Sequence, residues 1–332
     1  MLVSPNCFKD QELKAEMNNN ISAQGICEIS GEEGNLADIS ILQNFFNELL
    51  SLFSPTINGF TIDVIITREW GIFKSQTIAR TVLAEILRYG GLGYGIDTLV
   101  DYREDLQEEI AVWSRLKKEV CEQTRFFANT DRFATGKYLQ LGNGLQQGQK
   151  LYRARIIPNG RNYLTKHDMG CPPKEYAKAG RANPLGIPYL YLCQSPETTY
   201  YEVRALHLDK LSVGTFEVQR DLKIVDFNDD TNLFVAFCGD DSLKDVVVRK
   251  KINEAISADM SKPLRRYDSE IEYVPTQLIC EWCKLELQAD GICFKSSLHD
   301  GGVNYVLFNN EDAQCIIVHK HQVGSISIKR KK

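Results

Sequence analysis

A chain of 332 residues, 43% hydrophobic and 25% charged, has the profile of a globular protein with room for two ordinary domains. Its formal charge of -5 and pI near 5.7 argue against a surface built throughout to grip phosphate backbones, so nucleic acid is a disfavoured partner. No uncharged apolar run approaches the roughly 20 residues of a membrane helix. The opening MLVSPNCFKDQELKAEM lacks the apolar stretch of a signal peptide, and ten scattered cysteines suit reduced thiols, so a cytoplasmic protein is expected.

In chain order, residues 1–140 read as mainly helical. DISILQNFFNELLSLF carries apolar residues at helical spacing, QTIARTVLAEILRYG ends at glycine as helices often do, and DTLVDYREDLQEEIAVWSRLKKEV reads as a long amphipathic helix opening at Asp97 or Thr98. LGNGLQQGQK, residues 141–150, is polar and glycine-spaced, the texture of an exposed linker. Beyond it come short strand candidates: KLYRARII, PYLYLC, VGTFEVQ, LKIVDF, GICFKS, NYVLFN, QCIIVHK and GSISIK. Helices are expected at 195–208 and 276–289, with a helical excursion over 229–262. The pattern predicts an α+β chain: a helical domain over 1–140, then a largely antiparallel sheet with flanking helices over 151–332.

The stretch GRANPLGIPYLYLCQSPETTYYEVRA concentrates the chemistry. Ser195 is a good N-cap, Pro196 suits the first helical position and Glu197 the positive end of the helix dipole. Glu202 follows among tyrosines and apolar residues. An exposed helix carboxylate is the plain reading. Its company, Arg181 in the preceding turn and Tyr191 on the strand, lets one compact unit aim a guanidinium, a ring and a carboxylate at one cleft. A guanidinium forks phosphate oxygens, a tyrosine offers a flat face and a hydroxyl, and a carboxylate stabilises positive charge as an N-glycosidic bond breaks. Alternation puts Arg153 and Arg155 on one face of a strand that also carries Tyr152, and Ser296 and Asn304 sit at the two ends of a polar loop between strands.

These blocks, LYRAR, GRANPLGIPYLYL, SPETTYYEVR, YVPTQLICEW and DGICFKSSLHDGGVNYVLF in that order, resemble the RES domain, a family named for its Arg, Glu and Ser. The resemblance covers roughly residues 150–310. It implies a fold like that of diphtheria-toxin-type ADP-ribosyltransferases and an enzyme that cleaves the nicotinamide–ribose bond of NAD, with water or inorganic phosphate as acceptor. NAD is then a substrate, with no resident cofactor. It further implies a toxin or defence effector with an antitoxin partner, and a homo-oligomer is compatible with it. By motif, Arg181, Tyr191, Glu202 and Ser296 match the family's catalytic positions, and Tyr152, Arg153 and Asn304 its substrate-binding ones. Ala182 and Phe294 depart from the family's usual residues. Protein mono-ADP-ribosylation and a non-catalytic NAD- or partner-binding module are the alternatives.

Residues 1–140 resemble the helical, HEPN-like domain that precedes some RES domains, where two CxxC-like pairs are common. Here Ser4 and Ser30 replace two of the four cysteines, leaving Cys7 and Cys27. Serine is a poor zinc ligand, so no metal is expected. RNYLTKH, Arg161 to His167, fits the Arg–His spacing of HEPN nucleases but falls among turn residues outside the helical half, against a nuclease. Cys280 and Cys283 form a lone CxxC, expected to be core thiols. His299 is expected to be a loop residue, with an acid or base role beside Ser296 as the alternative.

Overall fold

A computed structural model describes residues 1–131, 133, 138–228, 230–239, 241–262 and 270–324. In chain order the regular elements are β1 (Leu2–Val3), α1 (Gln11–Asn19), β2 (Ile21–Ile26), β3 (Glu33–Asp38), α2 (Gln43–Leu50), β4 (Phe53–Thr61), α3 (Ile62–Ile65), α4 (Gln76–Gly90), β5 (Leu99–Tyr102), α5 (Glu104–Ile110) and α6 (Val112–Glu122). There follow β6 (Lys150–Ile156), β7 (Leu190–Cys193), α7 (Pro196–Glu202), β8 (Lys210–Val218), β9 (Ile224–Asp226), α8 (Leu233–Cys238), α9 (Leu243–Ser261), α10 (Val274–Glu286), β10 (Gly291–Lys295), β11 (Val303–Leu307) and β12 (Ala313–Gln322). The α+β class is as the sequence predicts. GSISIK lies outside the described residues apart from Gly324.

The chain forms two compact units, Met1–Ile110 with Asp230–Val248, and Ala111–Asp229 with Arg249–Lys332. In the first, α4 forms as its spacing dictates: Ser75 caps it by accepting from the Ile78 N–H at 3.3 Å, and left-handed Gly91, φ 63°, closes it. Phe45 and Phe46 of α2 are fully buried, and Phe45 meets Phe234 and Phe237 edge-on with ring centroids 5.4 and 5.5 Å away. The mainly helical reading needs correction here. An antiparallel sheet in the order β1-β3-β2 and a β4-β5 pair share this unit with the helices. Leu99–Tyr102, which reads as the start of a long helix, is a strand, because Val100 and Tyr102 are buried and the stretch pairs with distant β4. Such non-local pairing leaves little trace in local periodicity.

In the second unit, seven strands run in the order β12-β8-β6-β7-β11-β10-β9. All neighbours are antiparallel except β9 and β10. One face packs Leu151, Leu190, Leu192, Phe216 and Leu307 into a shared core. α6 clusters with this unit, although it lies within 1–140: Trp113 and Lys117 both donate to Asp259 of α9 at 2.7 Å. Residues 141–150, read as an exposed linker, are mostly exposed and are also pinned along the sheet edge by bridges at Leu141 and Leu145. Leu145 is buried and exchanges backbone hydrogen bonds of 3.1 and 2.8 Å with Leu222. A Cβ on Gly144 would fall 2.2 Å from the Leu222 carbonyl oxygen, so glycine here permits close pairing.

One feature of this sheet positions the site. β6 and β7 are joined by a single residue pair, Tyr152 with Cys193, and then part. Ala154 and Tyr191, which continued pairing would set opposite each other, line a cavity between the strands.

Candidate active site

The cavity measures about 380 Å³, within the usual range for a small-molecule site. Its lining comes from β6, the turn before β7, β7 itself, α7 and the residues just after it, the end of α9, β10 and the loop after it, and β11. Glu202 stands at the last position of α7. Ser195 caps that helix by accepting from the Thr198 N–H at 3.2 Å, and Pro196 occupies its first turn, as the sequence predicts. The helix ends earlier than 208, because the chain turns away at Arg204, where φ is 50°. Glu202 is therefore at an open helix end facing solvent and cavity, rather than in mid-helix.

Two side chains brace the carboxylate on one oxygen. Ser296 Oγ donates to Glu202 Oε1 at 2.7 Å and Asn304 Nδ2 donates to the same atom at 2.8 Å. Each donor is itself fixed. The Leu298 and His299 N–H groups donate to Ser296 Oγ, both at 3.2 Å, so the single serine proton is left for Glu202. Asn304 sits opposite Cys193 in the β7–β11 ladder, and the Cys193 thiol donates to its Oδ1 at 3.3 Å, which turns the amide nitrogen toward Glu202. Burial first, and then the Glu202 charge, push the Cys193 thiol up to about 12, keeping it protonated as a donor.

The basic side is built from the turn 180–183 and from β6. Tyr191 does not spend its hydroxyl on the cavity: it donates to Asn183 Oδ1 at 2.8 Å and accepts from the Ala182 N–H at 3.1 Å, leaving its ring as lining. Burial raises that phenol far above its ordinary range. Asn183 Nδ2 donates to the carbonyls of Lys178, Pro184 and Ile187, and Gln277 of α10 donates to those of Gly180 and Asn183. A Cβ at position 180 would lie 2.6 Å from Asn183 Oδ1 and 2.8 Å from the Tyr191 hydroxyl, so the turn requires glycine. This framework carries Arg181 into the cavity with its guanidinium over the Tyr273 ring, 5.1 Å from the centroid. Its Nη2 is buried without a hydrogen-bond partner among the described residues.

Arg153 also lines the cavity, and its Nη1 donates to the Gly170 carbonyl at 3.3 Å. Arg155 donates to the same carbonyl at 2.6 Å, so the two arginines share a face as alternation predicts. Burial, with the Arg155 charge second, lowers Arg153 to about 10. Tyr152 is not among the lining residues, although its strand is. Arg204 and Lys262, which motif reasoning passed over, do line the cavity, and Lys262 pairs with Glu272 at 2.8 Å. Three arginines and Lys262, the last already paired with Glu272, thus share the cavity lining with one carboxylate, a charge balance suited to an anionic ligand.

The family model described as the RES domain matches residues 150–326, just over half of the chain. The chain belongs to the RES domain family. No curated protein matches it significantly. Among solved structures, a M. tuberculosis toxin–antitoxin complex, MbcT–MbcA, is matched at a TM-score of 0.30 with 14% identity, over 66% of this chain and 92% of that one, a likeness too distant to carry an argument.

Several sequence expectations lie around the RES domain site or away from it. His299 is a loop residue whose Nδ1 is 3.0 Å from Thr198 Oγ1 and whose ring stacks on Tyr201. Arg161 pairs with Asp168 at 3.3 Å in a turn region. Cys280 and Cys283 are buried on α10. In the first unit Cys7 and Cys27 meet with sulfurs 3.8 Å apart, and the Ser4 N–H donates to Cys27 at 3.4 Å. Burial pushes Cys7 up to about 12; the same effect opposes ionisation of Cys27, yet donors from Ser30, Ser4 and Ile29 bring it down to about 7. Among the described residues no helix is long and apolar enough to cross a membrane.

Proposed function

We propose that the RES domain of this chain breaks the nicotinamide–ribose bond of NAD. Glu202, held through Oε1 by Ser296 and Asn304, presents its other oxygen to the ribose. Positive charge builds on the ribose as the C1′–N bond breaks and nicotinamide leaves with the electron pair, and the carboxylate stabilises that charge. Water or inorganic phosphate then bonds to C1′; water releases its proton to solvent and gives ADP-ribose, while phosphate gives ADP-ribose 1-phosphate. Arg181 and Arg153 bind the pyrophosphate. Tyr191 contributes its ring to the nicotinamide side, and Ser296 acts by positioning Glu202. Tyr152 has no assigned contact in this scheme.

One observation carries the reading: a carboxylate braced by two donors shares a cavity with a buried guanidinium nitrogen that has no protein partner among the described residues. A non-catalytic sensor would need the cations without so constrained a carboxylate. Unregulated loss of NAD would be toxic, so the proposal includes toxin action and a cognate antitoxin protein, as the family resemblance implies.

The test is incubation of purified protein with NAD, with and without phosphate, following nicotinamide and the ADP-ribose products. Intact NAD, or equal consumption by wild type and Glu202→Ala, would sink the proposal. ADP-ribosylated peptides in treated lysate would instead favour protein transfer, and saturable binding with no nicotinamide release would favour the sensor.

A further inference from the structure

A second cavity, of about 630 Å³, adjoins the first: Arg204 and Leu298 line both. Three of its ten lining residues carry rings: Tyr200 and Tyr201 come from α7 and His321 from β12, and Leu211 of β8 also lines it. These rings are held in place, since the Tyr200 hydroxyl lies 3.4 Å from His321 Nδ1, and Tyr201 stacks on His299 with centroids 4.7 Å apart and planes 6° from parallel. At the boundary between the cavities the backbone of Arg204 is left-handed, an uncommon state for a residue other than glycine and one that often marks a functional position. The Arg204 guanidinium has no hydrogen bond or ion pair among the described residues and is solvent-exposed.

A dinucleotide has two ring-bearing halves joined by a pyrophosphate. The first cavity, at about 380 Å³, suits one half, and its Glu202 chemistry belongs to the nicotinamide half. We infer that the second cavity takes the purine end of the dinucleotide, with Arg204 meeting the pyrophosphate where the ligand crosses from one cavity to the other. This rests on the NAD reading above. A purine presents a flat face to Tyr200 and Tyr201 and polar edges to His321, while the doubly charged linker meets a cation that has no partner among the described residues.

The test compares NAD with nicotinamide mononucleotide, which lacks the purine half. In Tyr200→Ala, and in Ala205→Trp, which fills the cavity, the ratio of kcat/KM for NAD to that for the mononucleotide falls at least about tenfold, the scale of one lost base stack. Tyr200→Phe keeps the ring and restores the ratio, which a purely structural loss would not. Equilibrium binding of adenosine monophosphate needs no turnover: wild type binds it, and Ala205→Trp weakens it at least about tenfold. A ratio within twofold of wild type in both variants, or equal monophosphate binding by wild type and Ala205→Trp, overturns the inference. A wild type that leaves NAD intact defeats the earlier proposal instead, and the binding measurement still decides this one.

Discussion

On the acidic wall of the cavity, Glu202 has two donors on one oxygen, and each donor has its own support, down to the thiol that orients Asn304. On the basic wall the backbone of the 180–183 turn is as thoroughly tied, yet the Arg181 group it delivers ends in a buried nitrogen with no partner among the described residues. The acidic wall holds its carboxylate in place through one oxygen without ligand, whereas the basic wall keeps a donor whose burial is unfavourable until an anion arrives. On the proposed reading, the acidic wall supplies preorganised charge where the transition state develops and the basic wall unsatisfied donors where the ligand binds, complementary uses of the same polar chemistry.

The largest expected effect comes from Glu202→Gln, which keeps the shape of the acidic wall and removes its charge. NAD turnover should fall by roughly 10²–10³-fold with a melting temperature within about 2 °C of wild type. Gly180→Ala attacks the basic wall through its backbone; the added methyl collides with Asn183 and the Tyr191 hydroxyl, displaces Arg181, and should lower kcat/KM about 100-fold.

Arg181→Met sharpens the contrast. It should lose about 10- to 100-fold in kcat/KM, the worth of a charge-assisted bond, while melting no lower than wild type, because it removes a buried unsatisfied donor. Asn304→Leu should behave oppositely in stability, losing about 1–3 kcal/mol by denaturant unfolding as its partners lose their bonds. Equal melting behaviour of these two variants would erase the distinction between the walls.

The smallest effect is expected from Cys193→Ala, a two- to five-fold or so loss in kcat/KM as Asn304 loses a weak donor. Its pH signature has a definite sign. The folded pKa of about 12 lies above the ordinary 9.0, so the thiol's contribution to stability is complete below pH 9 and is lost as pH rises through 12. That part of alkaline destabilisation should be missing from the variant.

Arg181, Glu202, Ser296 and Asn304 were legible because each sits in a distinctive block of sequence, and ordered blocks survive the 94 residues that separate Ser296 from Glu202. Their supports were not. Asn183, Gln277 and Cys193 act through hydrogen bonds across turns and ladders, and nothing in their local sequence distinguishes them from ordinary polar or core residues. Tyr191 reads from sequence as a site residue; its ring lines the cavity while its hydroxyl belongs to the turn. In the first unit, the caps and apolar spacing of α4 made it readable, whereas β5 was hidden because its strand character depends on a partner some 45 residues away.

The facing of Asn304 and Cys193 across β7 and β11 makes strand register a chemical variable. Side chains alternate between the faces of a sheet, so a slip of one residue in β11 would withdraw Asn304 and offer Val303 or Tyr305 in its place. The loop 296–302 carries Ser296 and feeds directly into that strand, and the Phe294–Asn304 pairing clamps its far end. An insertion in this loop is therefore harmless only where the clamp holds. Where it yields, a change in length becomes a change of the group that holds Glu202.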